Sequence, residues 1–281
     1  MGHQFGANHT FNGDTGNGNC GAGNRSPTTA YEPGSGTTIL AYAGICEINN
    51  LQQNSNDYYH TASFDEITSH IENNTCAENL PTGNSIPVAV ANPSGLAFTI
   101  PINTPFELTG AATDQNAVDV LTYCWEQFDL GEAMDDLDNP TGNAPLFRSW
   151  PPLESPTRVF PLMDDLVAGT STLGETLPSY ARNMNFRLTV RDNKAGGGGV
   201  SYDQVQLTVS DQADAFSVND ITSNWEYGTS YTVAWDVANT DEAPVSAANV
   251  SIYLSTDNGL SFNDLLLNVP NNGTAEVVCP N

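Results

Sequence analysis

Basic side chains are nearly missing from this sequence. Seven Lys and Arg stand against 33 Asp and Glu in 281 residues, a formal charge of −26 at pH 7. Phosphate groups would be repelled, so nucleic-acid binding is excluded, and an anionic membrane surface is disfavoured for the same reason. No apolar run reaches the roughly 18 residues of a membrane-spanning helix, so no membrane span is expected. The first residues carry neither a basic stretch nor an apolar core, so no signal peptide is visible; for a chain that begins internally, that says nothing about export. Five cysteines are present, Cys20, Cys46, Cys76, Cys124 and Cys279. The odd count implies a free thiol or partners outside the chain. Scarce Lys and abundant Asn, Gly and Thr suit a secreted, extracellular protein, where disulfides persist.

The length allows two or three domains at roughly 100–200 residues each. Short β-branched runs between Gly-, Asn- and Asp-rich turns favour all-β modules. Residues 1–19 start like the end of a helix that breaks at Gly6 and continue as a loop. SFDEITSHIEN (63–73) reads as a helix, with Ser63 as N-cap, Glu66 completing a capping box, and Phe64, Ile67 and Ile71 on one face. From residue 86 the pattern is strands: IPVAVA, AFTIPI, PFELTGAAT and VLTYCWEQF, then an irregular stretch over 129–182. NFRLTVRD and VSYDQVQLTVS follow as an antiparallel hairpin around the glycines at 196–199. Residues 86–210 are therefore expected to form a β-sandwich module. Residues 215–281 are expected to form a second, incomplete one, with strands at 230–237, 248–256 and 274–279 and Trp235 as core anchor.

The first nine residues carry the chemistry. His3, Gly6 and His9 have the spacing H-x-x-G-x-x-H, the second half of the zinc motif H-E-x-x-H-x-x-G-x-x-H. On a helix, a His four residues before His3 would share its face, so two imidazoles could reach one ion. A left-handed glycine then ends the helix and lets the chain return with a third His. Three ligands leave a coordination position open for chemistry. The first His and the general-base Glu of this motif would precede Met1. Taken alone, the half-motif also fits two unrelated histidines beside a glycine loop.

MGHQFGANHTF, followed about 30 residues on by SGTTILAYAGIC, resembles the zinc helix and Met-turn of bacterial reprolysin-like metallopeptidases of the metzincin clan. NRSPTTAYEPGSG between them resembles the same family. The resemblance covers residues 1–80, and more loosely the downstream modules, which look like Ig- or fibronectin-like repeats. It implies a mixed fold: the C-terminal remnant of an α+β catalytic domain followed by all-β sandwich modules. It also implies Zn²⁺ as cofactor, His3 and His9 as metal ligands, and protein or peptide substrates of a secreted endopeptidase. No catalytic residue is then expected in the chain itself, which should be inactive and bind zinc weakly. Leu40 stands where the family has its Met-turn methionine, a departure that conserves volume. Tyr42 lies where some metzincins have a Tyr that supports the transition state; its plainer reading is a packed aromatic. Cys20 and Cys46 flank the loop between zinc helix and turn and are the first choice for a disulfide, leaving Cys76 for a partner upstream. The alternative function is a non-catalytic adhesion or matrix-binding protein with a degenerate protease remnant, a reading that Leu40 favours.

Two signals stand apart from this motif. Asp114, Asn116 and Asp119, with Asp192 and Asn193, are oxygen donors on sandwich loops. They admit Ca²⁺ as a second cation or, more plainly, ordinary Asx turns. Asn8-His9-Thr10 is formally a glycosylation sequon, expected to go unused beside a metal ligand.

Overall fold

The computed structural model describes residues 1–15, 19–21, 23–76, 78 and 80–280. The fold is mixed: an N-terminal part that, among the described residues, consists of turns and a helix without strands of its own, followed by β-sandwich structure. A 3-10 turn over Gly2–Phe5 ends at Gly6, whose φ of 80° is left-handed, as the helix-breaking role requires. A disulfide joins Cys20 to Cys46, and both lie buried beside Phe11.

Helix α1 spans Thr61–Asn73 and so begins two residues before the expected start. His60, not Ser63, is its N-cap: the Ala62 N–H donates to His60 Nδ1 over 3.1 Å. Ser63 is buried inside the first turn, and its hydroxyl finds no partner. Glu66 does not complete a capping box; its carboxylate accepts the Asn8 N–H and side-chain amide instead. The physical reason is burial, because His60 is held against the sandwich and already presents a lone pair to the helix end. Phe64 and Ile67 are half-buried, but Ile71 is 46% exposed, so the packed stripe is shorter than the sequence suggests.

The strands follow the apolar runs. They are β1 (Val88–Val90), β2 (Phe98–Pro101), β3 (Phe106–Thr109), β4 (Ala111–Thr113) and β5 (Thr122–Gln127). Gly110 divides β3 from β4, and a Cβ there would lie 2.2 Å from Leu188 Cδ2. Within the stretch expected to be irregular, β6 (Thr157–Phe160) pairs with β3, and a short helix α2 (Met163–Ala168) follows. β7 (Arg182–Arg191) and β8 (Val200–Ser210) form the expected antiparallel hairpin. They are the centre of a sheet ordered β2-β8-β7-β5, with β2 parallel to β8. Phe147, Phe160 and Phe186 are fully buried and pack with Phe106 at the middle of this core.

A second, separate core is built around Trp235, Val233 and Val277. Its strands are β9 (Ser217–Val218), β10 (Ser230–Asp236), β11 (Asn249–Leu254), β12 (Asn263–Pro270) and β13 (Thr274–Val278). Trp235 Nε1 donates to Asn271 Oδ1, so the buried indole is satisfied. β11 pairs with β12, a strand the sequence pattern did not reveal.

The turn after β11 carries its own pH dependence. The Asp257 carboxylate accepts from Ser261 Oγ, from the Ser261 N–H and from Ser255 Oγ. These bonds, those of Ser261 foremost, lower its pKa from 3.8 to about 2. A carboxylate depressed by folding contributes stability that is present above its unfolded pKa and lost as pH falls through the folded one. The Ser261 amide resonance of this chain should therefore titrate near pH 2, and Asp257→Asn should abolish that step.

Candidate metal centre

The two histidines of the half-motif come together in the fold. Their ring centroids are 4.7 Å apart and the planes meet at 82°. Gly6 is the reason. The N–H of Ala7 returns to Gly2 O and that of Gly6 to His3 O, which closes the turn and sends the chain back so that His9 faces His3.

Each ring is oriented by one backbone carbonyl. His3 Nδ1 lies 2.7 Å from Ala7 O, and His9 Nδ1 lies 2.6 Å from Asn24 O. A carbonyl oxygen can only accept, so each Nδ1 must carry the proton. In the neutral ring Nε2 then keeps its lone pair. Anchoring one ring nitrogen on a carbonyl while freeing the other is how histidines are prepared to ligate a metal. His3 is exposed and His9 half-buried, so a solute ion can reach both.

Beneath the pair lies a floor. Leu40 is buried, and a Cβ at Gly2 would lie 2.9 Å from Leu40 Cδ1, so the leucine packs directly under the turn that carries His3. Thr10 N–H donates to Leu40 O. Tyr42 stacks on Phe11 with centroids 4.5 Å apart and meets the edge of His9 at the same distance. It is thus a packed aromatic that also touches a candidate ligand.

One residue behind the site escaped the sequence reading. Glu32 is 1% exposed, and its carboxylate accepts from Thr37 N, Thr38 N, Thr38 Oγ1 and Thr10 Oγ1. Its backbone is paired on both sides, with Glu32 N donating to Thr10 O and Asn12 N to Glu32 O. It therefore ties the residue after His9 to the turn that presents Leu40. An acid between Tyr31 and Pro33, shortly before Thr37-Thr38, was the available signal, but short-range pattern gives it no reason to be buried.

The remaining histidines serve otherwise. His60 caps α1 and points Nε2 at Glu126, 3.8 Å away, with both side chains essentially buried. His70 packs edge-on to Phe5 and over Gly6. Asn8, in the sequon, spends its side-chain amide on Glu66.

Residues 1–70 match the family model described as metallo-peptidase family M12B, reprolysin-like. That match covers the turn, both histidines, Leu40, Tyr42 and most of α1. No curated protein matches the chain. Among solved structures, the chain is similar to the FN1–FN3 domains of chicken CNTN1, at 11% identity and a TM-score of 0.25. That likeness covers 69% of this chain and 56% of the other, so the chain spans little more than half of that structure.

The Leu40 floor makes a direct prediction. Leu40→Met should cost less than about 1.5 kcal/mol, because volume is conserved. Leu40→Ala should cost about 2–5 kcal/mol by leaving a cavity under Gly2. Urea unfolding of the two variants checks both values.

Proposed function

We propose that residues 1–80 are the C-terminal part of the catalytic domain of a secreted zinc endopeptidase of the metzincin kind. Residues 86–210 and 215–281 are its accessory sandwich modules. The observation that carries this reading is the pair of carbonyl-anchored imidazoles, 4.7 Å apart, each with Nε2 left to ligate. The peptidase-family match over residues 1–70 supports it. The donor set fits the metal, since zinc takes neutral imidazole nitrogen readily. His3 and His9 would hold it, and Leu40 would support them from below.

Zinc, when bound, acts as a Lewis acid on the carbonyl of the peptide to be cleaved. The residues of this chain orient and support: Gly6 turns the backbone, Ala7 and Asn24 fix the ring tautomers, and Tyr42 steadies His9. The third His and the general base belong in this reading immediately before Met1, as His-Glu. Extracellular proteins or peptides would be the substrates. The disulfide agrees with export, and among the described residues no helix is long and apolar enough to cross a membrane. The adhesion reading drew on Leu40, which the packing beneath Gly2 explains as a floor in its own right.

Titrating the chain with Zn²⁺ tests this directly. Weak binding, lost in both His3→Ala and His9→Ala, is the expected result, with no hydrolysis of an unstructured protein substrate. Binding that survives either substitution, or proteolysis abolished by a chelator, would contradict it. The coding sequence ahead of Met1 is a second check: His-Glu is expected, and any other pair removes the catalytic reading.

A further inference from the structure

The carbonyls that anchor His3 and His9 differ in origin. Ala7 O belongs to the turn of His3 itself, four residues on. Asn24 O comes from a separate loop, which needs support of its own. Residues 23–29 grip His9 at two points: Asn24 O takes the ring proton, and Thr29 Oγ1 donates to His9 O over 2.7 Å. The Asn24 and Arg25 N–H groups both return to Gly21 O. Those local bonds shape the turn without tying it to anything beyond itself.

Arg25 supplies the tie. Its Nε and Nη2 donate to Asn12 Oδ1 over 3.1 and 2.7 Å, and Nη2 also donates to Gly131 O over 2.7 Å. Asn12 lies three residues after His9 and is fully buried. Its side-chain amide donates to Glu132 O, its backbone N–H donates to Glu32 O, and its carbonyl accepts the Met134 N–H. The Asp14 N–H donates in turn to Met134 O. One guanidinium therefore reaches the run that carries His9 and the first sandwich at once. Gly131 is packed hard in its place, since a Cβ there would lie 2.2 Å from Ala144 N. Both acceptors of Arg25 are neutral oxygens, so its planar fork is used for direction. A chain with seven basic residues spends one of them in this way.

We propose that Arg25 is a positioning residue of the metal site. Through Asn12 and Gly131 it holds the Asn24 carbonyl against His9 Nδ1, so the first sandwich, by way of residues 131–134, sets the ligand state of His9. The inference rests on the metal-site reading above. Without the tie, Asn24 O withdraws and the His9 proton is shared between both ring nitrogens, which removes the standing lone pair on Nε2. His3 is the internal control, because its anchor lies within its own turn.

The test uses the whole 281-residue chain in three forms. Beside the unsubstituted chain, Arg25→Met keeps the apolar stem and loses every donor, and Arg25→Lys keeps the charge without the fork. Two quantities are measured: ring tautomers by ¹⁵N–¹H correlation of the metal-free chain at alkaline pH, and ZnCl₂ affinity by calorimetry. In Arg25→Met, His9 should average between its tautomers while His3 stays Nδ1–H and His60 stays Nε2–H. Zinc should bind that variant about tenfold more weakly. Arg25→Lys should fall between it and the parent. His9 still wholly Nδ1–H in Arg25→Met, or in Arg25→Lys where Arg25→Met does not fold, would overturn the proposal. Equal averaging at His3 and His9, or collapse of both variants with loss of the His60 signal, would also overturn it by marking Arg25 as a general structural tie. Those results leave the metal-site reading standing. An unsubstituted chain that shows His9 as Nε2–H, or that binds no zinc, removes that reading and this proposal with it.

Discussion

A single buried carboxylate organises the N-terminal part of this chain. Glu32 accepts hydrogen bonds from Thr10 on one side and from Thr37 and Thr38 on the other, with no water contact to compete. Loss of such an acceptor would strand several buried donors at about 1–3 kcal/mol each. The placement of everything nearby follows from it. Thr10 is fixed, so His9 is fixed; Thr38 is fixed, so Leu40 sits under Gly2 and His3. The Cys20–Cys46 disulfide closes the same loop system from its far side, over a sequence separation of 26.

Three histidines show how identical side chains acquire different chemistry. His3 and His9 give their Nδ1 protons to carbonyls and keep Nε2 open. His60 does the reverse: its Nδ1 accepts from the helix backbone, so its proton is on Nε2, facing Glu126. Backbone geometry makes the first two candidate ligands and the third a cap. That cap belongs to a polar seam joining the N-terminal part to the sandwich. Arg187 on β7 lies between the rings of Phe128 and Tyr202 and donates to Asp65 of α1 over 2.6 Å. Tyr58 meets Ser149, and Thr37 donates to Ser149 O. The N-terminal part is thus docked on β5 and β7 through bonded polar groups.

Local pattern made much of this legible. Alternating apolar residues gave the β7–β8 hairpin, the H-x-x-G-x-x-H spacing gave the facing imidazoles, and flanking positions gave the disulfide. Longer-range causes stayed hidden. Ser63 and Glu66 formed a plausible capping box until tertiary contacts put His60 at the helix end and turned Glu66 toward Asn8. β6 and α2 sit in a stretch rich in Asp, Pro and Gly, where β6 owes its existence to pairing with β3. β12 reads NDLLLNVP, without clean alternation, and forms against β11. Glu32 and the carbonyls of Ala7 and Asn24 are invisible to periodicity, because their roles arise from where the folded chain brings them.

The tautomers of the histidines probe this account most directly. A ¹⁵N–¹H correlation of the metal-free chain above pH 8 distinguishes Nδ1–H from Nε2–H rings. His3 and His9 should appear as Nδ1–H and His60 as Nε2–H, with the His9 pattern averaging in Glu32→Ala. Nε2–H signals from His3 and His9 in the unsubstituted chain would mean that the carbonyls do not anchor them, and the metal-site reading would fall with that result.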